Sequence, residues 1–129
     1  MCLFLHNIFE TKEAANEFAA NPMIADRNIL VYKLLTVRKD GSLISPNRNV
    51  EYSRRTSKQV QAFGTKVYSP NGEIYKITVE EGLHAYVRLS WAEKMKCDYT
   101  VFEMYIPKGT PYFLGTNEIV SLKLKWVHS

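Results

Sequence analysis

Residues 29–44 read ILVYKLLTVRKDGSLI, and they decide the fold. Ile29 to Arg38 is rich in β-branched and aromatic residues, so it reads as a strand. Its unbroken apolar start predicts burial on both faces there. Lys39-Asp40-Gly41-Ser42 is a hairpin signal of the Asp-Gly kind, and Leu43-Ile44 returns as the partner strand. Ser45-Pro46-Asn47 closes the unit. An apolar strand followed at once by a tight turn builds antiparallel, not parallel, sheet, because parallel neighbours need a long crossover.

Downstream the same alternation recurs. Ser69-Pro70-Asn71-Gly72 is a strong turn sequence, and Ile74 to Val79 alternates as a half-buried strand does. Glu80-Glu81-Gly82 is expected to break it before a short strand from Leu83 to Val87. Tyr99 to Pro107 puts Val101, Glu103 and Tyr105 on one face and Phe102, Met104 and Ile106 on the other. Lys108-Gly109-Thr110-Pro111 turns the chain. Tyr112–Leu114, a turn at Gly115-Thr116-Asn117 and Glu118–Val127 form a closing hairpin.

Two helices interrupt the strands. Thr11 is a fitting N-cap for residues 11–20, with Ala14, Ala15, Phe18 and Ala19 on one face and Asn21-Pro22 as the stop. Ser90-Trp91-Ala92-Glu93 reads as a capping box opening a short helix to about Lys96. The expected fold class is therefore α+β: a single domain over 1–129, mostly antiparallel β core with two short helices.

Residues 47–66 have no clear period and are expected to form a basic loop or insertion. They carry Arg48, Arg54, Arg55, Lys58 and Lys66 against Glu51 alone, and Lys123 and Lys125 form a second basic cluster. The net charge of +4 in 129 residues permits contact with nucleic acid or another acidic partner without requiring it. Tyr52, Arg54, Arg55, Lys58 and Phe63 interleave cations with rings, as a base-stacking, phosphate-tracking surface does. RNA binding is accordingly one expectation, and Arg48, Arg54, Arg55 and Lys58 are the candidate partner-binding residues.

Other chemistry is sparse. His6, His84 and His128 are scattered, and Cys2 and Cys97 have no partner at zinc spacing, so no metal is expected. There is no phosphate-binding glycine loop and no nucleophile elbow. Cys2, if exposed by removal of Met1, would carry a free amine and thiol; the following Leu3-Phe4-Leu5 favours a buried strand residue instead. Two cysteines and no secretory signal predict a reduced, cytoplasmic protein with no membrane span. His84, Tyr86, Tyr112 and Glu118 each fall at a strand end or loop, where they are candidates to line one cleft.

Several of these segments carry a resemblance. Met1-Cys2-Leu3, Val31-Tyr32-Lys33-Leu34-Leu35 with Gly41 and Ser45-Pro46, Gly82-Leu83-His84-Ala85, and Ile106-Pro107-Lys108-Gly109-Thr110 through Asn117-Glu118-Ile119-Val120-Ser121 resemble a loose family of small proteins encoded by bacteriophages and prophages. The resemblance spans most of the chain outside 47–66. It implies a phage accessory protein in the host bacterial cytoplasm, a non-catalytic binder of a host protein or a nucleotide-like ligand with a host-takeover or anti-defence role.

A fainter similarity is to the ADP-ribosyltransferase fold. Tyr32-Lys33 stands where that fold has an early Arg or His, His84–Tyr86 lies near its middle step, and Glu118 precedes a late strand. The similarity implies an enzyme alternative with NAD as cofactor and Glu118 as the catalytic carboxylate. The chain departs from that pattern in lacking the early Arg or His and the Ser-Thr-Ser triplet. Tyr32, His84, Tyr86, Tyr112 and Glu118 are the candidate ligand-binding residues, with no cofactor expected outside the enzyme alternative.

Overall fold

The computed structural model describes residues 3–46 and 50–127. In chain order its elements are β1 (Leu3–Phe4), α1 (Lys12–Ala20), β2 (Met23–Ile24), β3 (Ile29–Val37), β4 (Leu43–Ile44), β5 (Glu51–Tyr52), β6 (Lys58–Gln59) and β7 (Gly64–Tyr68). They continue with β8 (Lys76–Glu81), β9 (Leu83–Tyr86), α2 (Leu89–Met95), β10 (Thr100–Ile106), β11 (Pro111–Leu114), β12 (Glu118–Ser121) and β13 (Lys123–Trp126). Pairing among these strands is antiparallel throughout. The architecture is mostly β, with the two helices as minor elements.

The central strand is β3, paired with β10 over its first seven residues, Ile29↔Ile106 through Leu35↔Thr100. On its other side β3 meets β9 at a single bridge, Tyr32↔Tyr86. From there β9 pairs with β12, and β10 pairs with β13. Only Leu122 separates β12 from β13, so these two are one strand bent between two neighbours. The run β12-β9-β3-β10-β13 therefore closes on itself as a small barrel. Val31, Leu35, Ala85, Met104, Ile106, Ile119 and Leu124 fill its interior. Full burial makes truncation of such a residue to alanine cost about 2–5 kcal/mol.

β8 and β9 are likewise one strand bent at Gly82, which leaves a three-stranded sheet (β1-β8-β7) and enters the barrel. The expected break at Glu80-Glu81-Gly82 is a bend and not an end: pairing runs on through Glu81. Gly82 has φ 146°, and a Cβ there would stand 2.4 Å from Val120 Cγ1. Glycine alone meets both conditions. α1 covers the small sheet through Ala15, Phe18 and Ala19, with Phe18 packed against Phe9 and Phe113 at 5.3 and 6.4 Å between ring centroids. Ala14, expected on that stripe, faces solvent. Thr11 caps the helix by accepting from Ala14 N at 3.1 Å.

Three further expectations change. α2 starts at Leu89 with the extended Arg88 as its N-cap and no side-chain cap bond, so Ser90 lies inside the first turn and Ser90–Glu93 is not a capping box. Residues 50–66 are not one loop: β5 pairs with β4, β6 with β13, and β7 begins at Gly64. Two-residue strands show no alternation a sequence can display, and residues 47–49 lie outside the described part. The strand expected at Ile74–Val79 runs instead over Lys76–Glu81, with Tyr75 held in an isolated bridge to Phe9. Among the described residues no helix is long and apolar enough to cross a membrane.

Candidate ligand-binding site

Alternation along β3 sends Val31, Lys33 and Leu35 toward the barrel interior and Tyr32 and Leu34 toward α2. Lys33 thus points where an apolar residue is expected, and it is only 7% exposed. The single bridge between β3 and β9 is the reason a lysine fits. Beyond Tyr32↔Tyr86 the two strands part, and the His84 carbonyl accepts from Lys33 Nζ at 2.6 Å. Burial lowers the Lys33 pKa from 10.5 to about 8, because the charged form has lost its water.

Where the strands part, a cavity of about 70 Å³ opens. That is room for several water molecules or a small polar group. β3 and β9 line one side with Lys33 and His84, and Ser45, Val50 and Tyr52 line the other. Ser45 and Val50 are tied together by the Ser45 N–H donating to Val50 O at 2.9 Å and the Val50 N–H donating to Ser45 Oγ at 3.1 Å. These bonds hold Ser45 and Val50 together at the edge of the cavity. Burial also raises the Tyr52 hydroxyl pKa well above its usual value, so the phenol stays neutral.

From Lys33 and Tyr52 a run of cations and rings extends along the barrel. Lys33 Nζ and Lys58 Nζ stand 5.5 and 5.7 Å from the centre of the Tyr52 ring. Arg54 Cζ stands 5.1 Å from the Phe102 ring and 5.6 Å from that of Trp126, which meet edge to face at 5.7 Å. Trp126 is fixed by its Nε1–H donating to Ser53 O at 2.7 Å. Each such cation–ring contact is worth about 0.5–1 kcal/mol at an exposed site. Phe102 and Trp126 project from the interior-facing positions of β10 and β13, so the cluster forms one rim of the barrel.

The predicted residues divide between this rim and other places. Arg54 and Lys58 belong to the rim, and Arg55 is exposed on the same turn, its backbone N–H donating to Ser53 Oγ at 3.2 Å. Arg48 lies outside the described residues, as do Cys2 and His128. Phe63 is not a stacking platform; it packs in the small-sheet core at 4.9 Å from Phe113. Lys66 sits on β7, in the small sheet, and Lys123 and Lys125 alternate with the inward Leu124 and so face out from β13.

Tyr32, Tyr86 and Glu118 form a row across β3, β9 and β12, through the register pairs Tyr32↔Tyr86 and Glu118↔Tyr86. Their face of the sheet packs against α2 through Tyr86, Leu34 and Ala92. Burial raises the pKa of Glu118, and burial followed by the Glu118 charge raises that of Tyr86. His84 stands opposite Val120 and reaches the cavity, where its carbonyl holds Lys33. Tyr112 is not in the row: it packs with the barrel core, on the other face of the sheet from Glu118. The five residues therefore do not share one cleft.

Lys33, Phe102 and Trp126 are the members of the rim that sequence reading passed over as binding residues. The available signal was a lysine in the middle of an otherwise apolar strand, ILVYKLL. No family model matches this chain, and neither a curated protein nor a solved structure gives a significant match.

Proposed function

We propose that the protein is a non-catalytic binder of a nucleotide-like anion, working as a phage accessory protein in the cytoplasm of the infected host. One observation carries the proposal: Lys33 and Lys58 lie against the Tyr52 ring and Arg54 against Phe102 and Trp126, with Phe102 in register with Lys33 across β3 and β10. Cations supply attraction for phosphate, and flat apolar faces supply stacking for a base. Either element alone is ordinary surface chemistry; a nucleotide needs both within one ligand's length. A host protein presenting an acidic and aromatic segment is the alternative partner for the same rim.

The enzyme alternative has less behind it. Glu118 projects to the opposite face of the sheet from Lys33 and the rim, so a dinucleotide held at the rim would not meet this carboxylate. RNA binding draws on the same rim and makes a separate demand, a steep loss of affinity with salt.

A thermal-shift panel with AMP, ADP-ribose, NAD, cyclic dinucleotides and a short single-stranded RNA tests the proposal. A ligand at a hundred times its dissociation constant adds about 2.7 kcal/mol, read as a rise of several degrees in Tm for a chain of this length. The expected result is a rise with one class of small nucleotide and none with the others. A panel flat for every small nucleotide defeats the proposal. A rise with RNA alone, abolished by salt, replaces it with the RNA reading.

A further inference from the structure

Among the described residues Lys33 is the only charged side chain that is buried. No described carboxylate makes an ion pair with it, and residues 1–2, 47–49 and 128–129 include no Asp or Glu. An ammonium has three N–H donors. One is given to the His84 carbonyl, and the Tyr52 ring is a weak second partner. The remaining donor capacity borders the cavity.

A cation removed from water without a counter-charge is expensive, and the expense is recovered when an anion reaches it. Structural lysines avoid this position by carrying the amine out to solvent on their flexible stem. Lys33 does not, although the cavity beside it leads outward.

We propose that this slot is an oxyanion receptor, in which the Lys33 ammonium receives the terminal phosphate or carboxylate of the ligand while the ring-and-arginine rim holds its planar part. This assignment rests on the nucleotide-binding proposal for the second half of the ligand and stands by itself for the first. The other titratable residues that border the slot are Tyr52 from β5, Glu80 from β8, and His84 and Tyr86 from β9, the last two with side chains on the Glu118 face of the sheet, with Lys58 from β6 against the Tyr52 ring. Tyr52, held neutral by burial, adds a hydroxyl and no opposing charge. Glu80 is the one acid of the lining. It disfavours a second negative charge close by, so the slot suits a single terminal oxyanion better than a polyphosphate chain.

The test uses the intact protein with ¹³C-labelled lysines, assigned at Lys33 by comparison with Lys33→Met. Inorganic phosphate, acetate, AMP and adenosine are titrated at constant ionic strength, and the Lys33 ε resonance is followed against pH. Phosphate or acetate is expected to move that resonance saturably and to raise the pH at which it titrates. AMP is expected to bind at least about tenfold more tightly than adenosine, as a charge-assisted hydrogen bond predicts. Lys33→Met should reduce that preference to less than about twofold, where a merely structural lysine would leave it intact.

The arms separate the two proposals. If AMP and adenosine bind alike and no anion moves Lys33, the oxyanion receptor is overturned and the nucleotide rim stands. If phosphate or acetate moves Lys33 but no nucleotide binds, the rim reading falls and the receptor stands. Acetate acting without phosphate assigns the slot to carboxylate ligands, and the reverse assigns it to phosphates. Should Lys33→Met not fold, Lys33→Arg, which keeps the charge, supplies the assignment, and the anion titration of the native chain decides.

Discussion

Raising the pH should stabilise this protein in a range where most proteins begin to weaken, and Lys33 is the cause. Its folded-state pKa is lowered to about 8 from 10.5, so between those values the unfolded chain binds more protons than the folded one. Stability must then rise with pH. A tenfold change in proton affinity is worth about 1.4 kcal/mol, which makes the whole gap roughly 3 kcal/mol. About 2 kcal/mol of it is recovered between pH 7 and pH 9.5. For a chain of this length that is a rise in Tm of about 7 °C.

The window must end there, because the raised pKa values of Tyr52 and Tyr86 act in the opposite sense once the unfolded phenols ionise near pH 10. Urea denaturation at several pH values, run on the wild type and on Lys33→Met, isolates the contribution. The exposed charges give both proteins the same background, so the difference between their curves belongs to Lys33. Lys33→Met removes the buried charge but leaves the His84 carbonyl without its donor, a loss of about 1–3 kcal/mol that should not vary with pH. The curves should therefore converge or cross as the pH rises. Parallel curves would refute the burial of a charged amine at this position.

Other outcomes follow from single positions. Gly82→Ala should cost about 2–4 kcal/mol in denaturant unfolding, because the new methyl meets Val120 in a backbone conformation alanine rarely adopts. Arg54→Ala should weaken nucleotide binding several-fold in a calorimetric titration while leaving Tm within about 2 °C, since its two ring contacts lie at the surface. Glu118→Gln should leave nucleotide affinity unchanged by the same titration, its side chain being on the far face of the sheet. It should also raise stability at neutral pH, because burial penalises the carboxylate it removes.

Most of the β framework was legible in the sequence because β3, β10 and the β11–β12 hairpin carry their own signals. These are a β-rich apolar run, strict alternation from Val101 to Ile106, and a turn bounded by paired strands. Barrel closure was not legible. It depends on Leu122 and Gly82 bending continuous strands between neighbours, and at Leu122 the inward positions pass from Ile119 and Ser121 to Leu124 and Trp126, out of the alternation a straight strand shows. The short edge strands β2, β5 and β6 were invisible for a different reason, since two residues in a ladder have no period to read.

The rim was half legible. Tyr52, Arg54 and Lys58 stood out as a basic and aromatic run, but their partners Phe102 and Trp126 belong to strands far along the chain that also read as core. Nothing local in the sequence announces such a meeting. The grouping of Tyr112 with Glu118 failed by parity: the hairpin turns their side chains to opposite faces.

The position of Lys33 has a bearing on how the chain reaches its fold. Apart from the local pairing of Thr36 and Val37 with β4, the partners of β3 are β9 and β10, which lie far along the sequence, so most of this strand waits for partners that are made much later. Non-local pairing of this kind is slow, and an apolar strand without partners invites association with other copies. In the unfolded chain Lys33 is hydrated and fully charged at neutral pH. It then interrupts ILVYKLL at its centre, as gatekeeper charges interrupt aggregation-prone strands. The charge that burdens the finished barrel keeps its central strand solitary until β9 and β10 arrive.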